Sequence, residues 1–145
     1  MADSRRVWCA LLAVFLVMVV AGGVPTAQSG TEAKKPSLSL RVTPPLGFSP
    51  LRVRLVVDVK DGDDDYEDFY CPTIEWDWGD GTVSASSEDC DPYQPGKSVV
   101  RRRFSTEHVF RQPGSFRVAF RLKQKGRVVA TSAASIQVRG GLSQQ

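Results

Sequence analysis

Histidine occurs once in this chain of 145 residues, cysteine three times and methionine twice. The single histidine, His108, rules out any cluster of imidazole metal ligands, and no triad or metal-hydrolase spacing surrounds it. Beyond the first two dozen residues there is no apolar run of about 18 residues, so no later segment can span a membrane as a helix. That same region shows no amphipathic period of 3.6, which excludes a helical bundle and an alternating α/β architecture. What the chain does have is period-two alternation, Asp-Gly and Pro-Gly turn signals, and a strong segregation of charge.

The N-terminus has the form of a targeting signal. Arg5 and Arg6 precede an apolar run from Val7 to Val20, and small residues with Pro25 lead to Thr26-Ala27-Gln28. Residues 1–27 therefore read as a signal peptide, or as an uncleaved signal anchor, because the run extended to Val24 reaches spanning length. Either form directs the chain to the exterior or the cell envelope. Cys9 lies in this leader, which leaves Cys71 and Cys90. In an exported chain such a pair reads as one disulfide closing a loop of about 19 residues, worth roughly 3 kcal/mol on the chain-entropy model. Two free thiols are the alternative. Residues 28–36 have a linker composition without periodicity, residues 37–139 carry the domain, and 140–145 form a tail expected to fray.

The formal charge of +3 conceals two opposed halves. Asp58 to Asp91 contains thirteen acidic residues and one cation, Lys60, whereas Lys97 to Arg139 contains eleven basic residues and one carboxylate, Glu107. Between the turn signals the strands follow in order. Leu38, Leu40 and Val42 alternate with polar residues; Leu51, Val53, Leu55, Val57 and Val59 share one parity over nine positions. Ile74, Trp76 and Trp78 form one face of a strand that runs into Gly79-Asp80-Gly81. Val99 to Phe104 reads as an edge strand defended by Arg101, Arg102 and Arg103. Phe116, Val118, Phe120 and Leu122 face one way on a long strand that a turn at Gly126 joins to a last strand, Arg127 to Arg139.

About seven such strands predict an all-β, immunoglobulin-like antiparallel β-sandwich, preceded by the N-terminal hydrophobic helix. The expected core is Leu51, Val53, Leu55, Val57, Trp76, Phe116, Val118 and Phe120. Trp78 is expected to be partly exposed at the strand end and to mark a contact surface. Ser84 to Gly96 is expected to be an exposed excursion tied back by Cys90.

Several of these residues also carry a resemblance. Trp76-Asp77-Trp78-Gly79-Asp80-Gly81-Thr82, followed by His108-Val109-Phe110, Pro113-Gly114 and Phe116-Arg117-Val118, resembles the polycystic kidney disease (PKD) domain family. Its pattern runs W-D-F-G-D-G-T, H-x-Y or H-x-F, then P-G-x-Y-x-V, and Pro50-Leu51-Arg52-Val53 is similar to its early P-L-x-V strand. Trp78 and Phe116 replace the commoner Phe and Tyr. The connection from the motif to His108 is longer than usual, and the Cys71/Cys90 pair is not a general family feature. The resemblance implies a non-catalytic extracellular module for protein or carbohydrate contact, or a spacer, with His108 packing and hydrogen bonding near the Asp-Gly turn.

Three chemical readings remain. Asp77 and Asp80 could form a carboxylate pair, but turn hydrogen bonds compete for them, so the chain reads as a non-enzyme; a pocket joining two carboxylates, or one carboxylate and His108, is the feature that would argue otherwise. Asp61, Asp63, Asp65 and Asp68 offer hard oxygen ligands around Gly62, a calcium loop without EF-hand register, against the reading of a solvated acidic loop. Arg117, Arg121 and Lys123 on one strand face, with Lys125 and Arg127 at its hairpin, read as a basic patch for acidic glycan or a phospholipid headgroup, or as a solubilising sheet face. No aromatics interleave them, which speaks against nucleic acid. The remaining expectations are a monomer with no cofactor beyond calcium, and an envelope protein or polysaccharide as partner.

Overall fold

The computed structural model describes residues 33–141. The expected leader and most of the linker and tail lie outside that range, as does the apolar run near the N-terminus. The described residues form eight strands: β1 (Ser37–Thr43), β2 (Leu46–Phe48), β3 (Leu51–Lys60), β4 (Thr73–Asp77), β5 (Val83–Ser86), β6 (Arg103–Phe110), β7 (Gly114–Gln124) and β8 (Arg127–Arg139). They make two sheets, β1-β3-β6 and β2-β8-β7-β4-β5. The only helical element among them is a 3₁₀ turn at Glu67–Phe69.

Alternation sets the sandwich. Leu51, Val53, Leu55, Val57 and Val59 on β3 are buried while Arg52, Arg54 and Lys60 between them are exposed. Val118, Phe120 and Leu122 on β7 and Ile136 and Val138 on β8 close the core from the other sheet. The registers agree with these faces: Val57 lies opposite Phe104, Leu51 opposite Phe110, and Trp76 opposite Phe120. An inner face of this kind buries each large apolar side chain for about 1.5–3 kcal/mol, and neighbouring strands confine the parity, since a one-residue slip would expose the whole row.

The expectations fail in specific places. The sandwich is not wholly antiparallel, because Leu46–Phe48, which follows the break at Pro44-Pro45, pairs parallel with β8. Val83–Ser86 is an edge strand on β4, although all four of its residues are exposed, which hid it in the expected excursion. The edge strand expected from Val99 begins only at Arg103. Residues before it leave the sheet so that Val100 can bury and donate its N–H to the Asp64 carbonyl at 2.7 Å. Trp78 is buried, at 3% exposure, instead of marking a surface. Phe116, expected in the core, is half-buried, and Phe69, which directly follows the acidic run ending at Asp68, is buried.

The Cys71–Cys90 disulfide is formed. It ties the β3–β4 loop to the long β5–β6 connection, and further contacts reinforce it. Tyr93 Oη donates to the Asp65 carbonyl at 2.6 Å, and Arg102 clamps the loop through Asp64 Oδ1 and the carbonyls of Asp61 and Gly62. Burial, with the negative charges of Asp65 and Glu67, pushes the Tyr93 phenol upward.

Leu55 has no exposed surface and sits mid-strand in the core. Leu55→Ala is expected to cost about 2–5 kcal/mol, while Arg52→Ala on the opposite face of β3 costs less than about 0.5 kcal/mol; urea denaturation of the two variants checks the pair.

Candidate functional site

The motif residues converge at one end of the sandwich, where β4 turns into β5 beside β6. Trp78 N–H donates to the Thr82 carbonyl at 3.1 Å, which closes the turn. Inside it, Asp77 Oδ1 accepts from the Gly79 amide at 3.2 Å and Asp80 Oδ1 accepts from the Thr82 amide at 3.0 Å. These are Asx-type turns, in which a short carboxylate replaces a backbone acceptor. Gly79 adopts φ +72° and Gly81 φ +89°, a region that residues with a Cβ enter only at a cost. Gly79 has a second constraint: a Cβ there would lie 2.6 Å from the Arg117 carbonyl oxygen.

Behind the turn runs a column of rings. Trp76 and Trp78 lie parallel at 5.7 Å, Trp78 and His108 at 4.2 Å, and His108 meets Phe110 edge-on at 4.8 Å. Phe110 then stacks on Phe116 at 4.5 Å, and Trp76 rests on Phe120 at 4.6 Å. Trp78 can be buried because its indole N–H reaches Ser84 Oγ at 2.9 Å. That serine belongs to the strand the sequence concealed.

His108 does hydrogen bond at the turn: its Nε2 lies 2.8 Å from Asp80 Oδ2. Asp80 is thus a bridge, with Oδ1 taking the Thr82 amide and hydroxyl and Oδ2 facing the imidazole. Burial works to raise the Asp80 carboxyl, but the bonds from the Thr82 hydroxyl, His108 and the Thr82 amide outweigh it and hold the carboxyl below its usual range. Beside it opens a hollow of about 440 Å³ whose wall includes Asp80, Thr82, His108, Phe110, Arg111 and Phe116. A pocket joining a carboxylate to His108 therefore exists. Its order of contacts differs from a nucleophilic triad, where the imidazole stands between acid and nucleophile. Here the carboxylate stands between hydroxyl and imidazole, so the imidazole is not set against the Thr82 hydroxyl. Asp77 does not join Asp80; it faces Gly79 and, at 3.1 Å, Arg121.

Two other expected sites are dispersed. Asp61 lies near Ser37 Oγ, Asp63 Oδ2 accepts from the Lys34 amide at 2.7 Å, Asp65 Oδ2 accepts from the Gly96 amide at 3.0 Å, and Asp68 faces Arg127. The four carboxylates of the imagined calcium loop thus turn to four separate partners. No metal-holding group of three carboxylate, histidine or cysteine side chains occurs among the described residues. The basic patch is also absent as an unpaired surface. Arg121 is paired with Glu75 at 2.9 Å and with Asp77, Lys123 with Glu75, and Arg127 with Asp68. Hydrogen bonds from Lys123 and then Arg121 hold the Glu75 carboxyl below its ordinary range. Arg117 and Lys125 remain exposed and have no ion pair among the described residues.

No family model matches the chain, and no curated protein sequence matches it. Among solved structures the chain is similar to a PKD domain of an M14-like peptidase from a Thermoplasmatales archaeon, at 13% identity over 73% of this chain and 98% of that one, with a TM-score of 0.49. It is similar to a CARDB domain from Pyrococcus furiosus, solved with two metal ions, at 11% identity over 74% and 90% of the two chains, with a TM-score of 0.45. A superoxide reductase (neelaredoxin) from Ignicoccus hospitalis gives 9% identity over 77% and 87%, with a TM-score of 0.42.

Gly81→Ala should cost about 1–2 kcal/mol from backbone strain alone, because nothing lies within 4 Å of the added carbon. Gly79→Ala should cost clearly more, since the strain is joined by the collision with the Arg117 carbonyl; thermal melts rank the two. Asp80 gives a second test. Its folded-state pKa is depressed, so its contribution is complete above the ordinary aspartate value of 3.8 and disappears as pH falls through the folded value. The stability gap between wild type and Asp80→Asn should be widest near neutrality and narrow steadily below pH 3.8 in urea titrations run across that range.

Proposed function

We propose that this chain is an exported, non-catalytic contact module built on a single PKD-like sandwich, acting by binding an envelope protein or polysaccharide. The observation that carries the reading is the Thr82–Asp80–His108 arrangement. The only histidine and the motif carboxylate are used to brace the β4–β5 turn, and the polar groups most suited to acid–base work are already engaged in holding the fold. A carboxyl held below its usual range is also a poor general acid near neutrality. The residues of the motif, their turn geometry and their ring column support the PKD-like assignment. The Cys71–Cys90 disulfide supports an oxidising compartment, in agreement with the targeting form of residues 1–27.

Intact mass of the protein recovered from each cell fraction, with and without reduction and alkylation, tests this reading. The expected species begins near Gln28, is soluble outside the cytoplasm, and takes up alkylating reagent at Cys71 and Cys90 only after reduction. A full-length species in the membrane fraction would replace the freely exported module with a tethered spacer. Cytoplasmic protein with both thiols free would overturn export altogether.

A further inference from the structure

A net positive charge lies on the outer face of the three-stranded sheet, where no single stretch of sequence displays it. The outward side chains of β1, β3 and β6 include Arg41, Arg52, Arg54, Lys60 and Arg103, against only Asp58 and Glu107. Five cations and two carboxylates leave a net of three positive charges on this face, as much as the formal charge of the whole chain. The pairing that exists leaves donors over. Asp58 is shared by Arg41 through Nη2 at 2.5 Å and Arg103 through Nε at 2.7 Å, and Arg52 meets Glu107 at 3.3 Å in an exposed pair. The hydrogen bond from Arg103 first, then the charges of Arg103, Arg41 and Lys60, keep the Asp58 carboxyl low against the opposing effect of burial. Arg54 and Lys60 have no side-chain partner among the described residues.

We infer that this face, formed by Arg41, Arg52, Arg54, Lys60 and Arg103, is a docking surface for a linear acidic polysaccharide, a glycan carrying carboxylates or sulfates along its length. The inference rests on the contact-module reading above and names the partner class. Charge complementarity is the first argument. Guanidinium groups are planar forks suited to carboxylate and sulfate, and residues two apart on a strand stand about 7 Å from each other, so Arg52 and Arg54 are neighbours on β3 and Lys60 stands roughly 27 Å from Arg52, with Val56 and Asp58 between. The second argument is the character of the positions between them. Ser37, Ser39, Thr43 and Ser105 share the outer face, giving a flat ground of hydroxyls that can bond sugar hydroxyls.

The same face lacks what other partners need. Its apolar side chains are Val56 and Val109, both half-buried between strands, so it offers nothing to insert into a bilayer as interfacial binding requires. It carries no Tyr, Trp or Met of the kind that anchors protein interfaces. It also has no ring on which a nucleobase could stack.

Retention of the exported protein on immobilised polygalacturonate and on heparin, across a salt series, tests the inference, with neutral dextran and phosphatidylglycerol vesicles as comparison probes. Wild type is expected to bind one or both acidic glycans and not dextran. R52S/R54S should lose at least about tenfold in affinity and show a log affinity against log salt slope shallower by roughly one to two. R117S/K125S removes the same charge from elsewhere on the molecule and should stay within about twofold of wild type. Thermal melts establish that both variants are folded. Equal losses in the two variants would reduce the effect to bulk charge and overturn the face. Full retention by R52S/R54S, binding to dextran, or tighter binding to the vesicles than to either glycan would overturn it too. The assay reads the face alone: its failure leaves export standing, and a cytoplasmic species with free thiols would instead bring down the contact-module reading.

Discussion

Stacking between Trp78 and His108 is the contact on which the rest of this structure turns. The two rings lie 4.2 Å apart and nearly parallel, and they belong to different sheets, so the stack fixes the separation of β4 and β6 at one end of the sandwich. It needs several things at once. Ser84 must supply an acceptor for the indole, Asp80 must hold the imidazole, and Gly79 must let the chain pass against the Arg117 carbonyl. Each is a short-range device of the turn, yet together they aim a pair of side chains that lie thirty residues apart in the chain. Trp76 and Phe120 carry the column into the core, and Phe110 and Phe116 carry it to the hollow. A motif that looks like a surface signature is thus chiefly an internal joint.

At the other end of the molecule the β3–β4 loop and the β5–β6 connection brace each other. The disulfide is one tie among several. Phe69 anchors the acidic loop from inside, Tyr66 packs edge-on against it at 5.6 Å, and Arg102 gathers the loop carbonyls from outside. A carboxylate-rich loop that would repel itself if left open is held by one buried ring and one guanidinium. Its aspartates serve this local architecture, each turned to a separate partner.

The strands with strict alternation were legible in the sequence almost to the residue: β1, β3 and β7 depend on parity, and parity is visible, whereas β8, which buries Val129 and then Ile136 and Val138 of the opposite parity, was legible through the turn at Gly126 and its apolar end. The illegible parts depend on what lies across a sheet. β5 has no buried position to reveal it, and β2 is only three residues long. Trp78 reads as a terminal ring because the histidine that covers it comes thirty residues later. The site residues divide in the same way. Parity places Arg121 and Lys123 on an outer face, as expected, but says nothing of Glu75 and Asp77 on the adjacent strand, which neutralise them. Conversely, the cations at positions 41, 52, 54, 60 and 103 belong to three separate stretches, and only the register of β1, β3 and β6 assembles them.

The opposed charge of the two halves has a consequence for how the chain assembles. The acidic half is made first, and its cations come mainly from Arg101, Arg102, Arg121, Lys123 and Arg127, which lie 13 to 59 residues away from their carboxylates. Each of these pairs joins residues far apart in the chain, so the first half taken alone carries these carboxylates without those partners. On β4 and β7 the contact of Trp76 with Phe120 and the ion pairs of Glu75 with Arg121 and Lys123 lie on opposite faces of the same two strands. Charge order along the chain thus makes neutralisation of the acidic half a property of the folded pairing and of no local stretch of sequence.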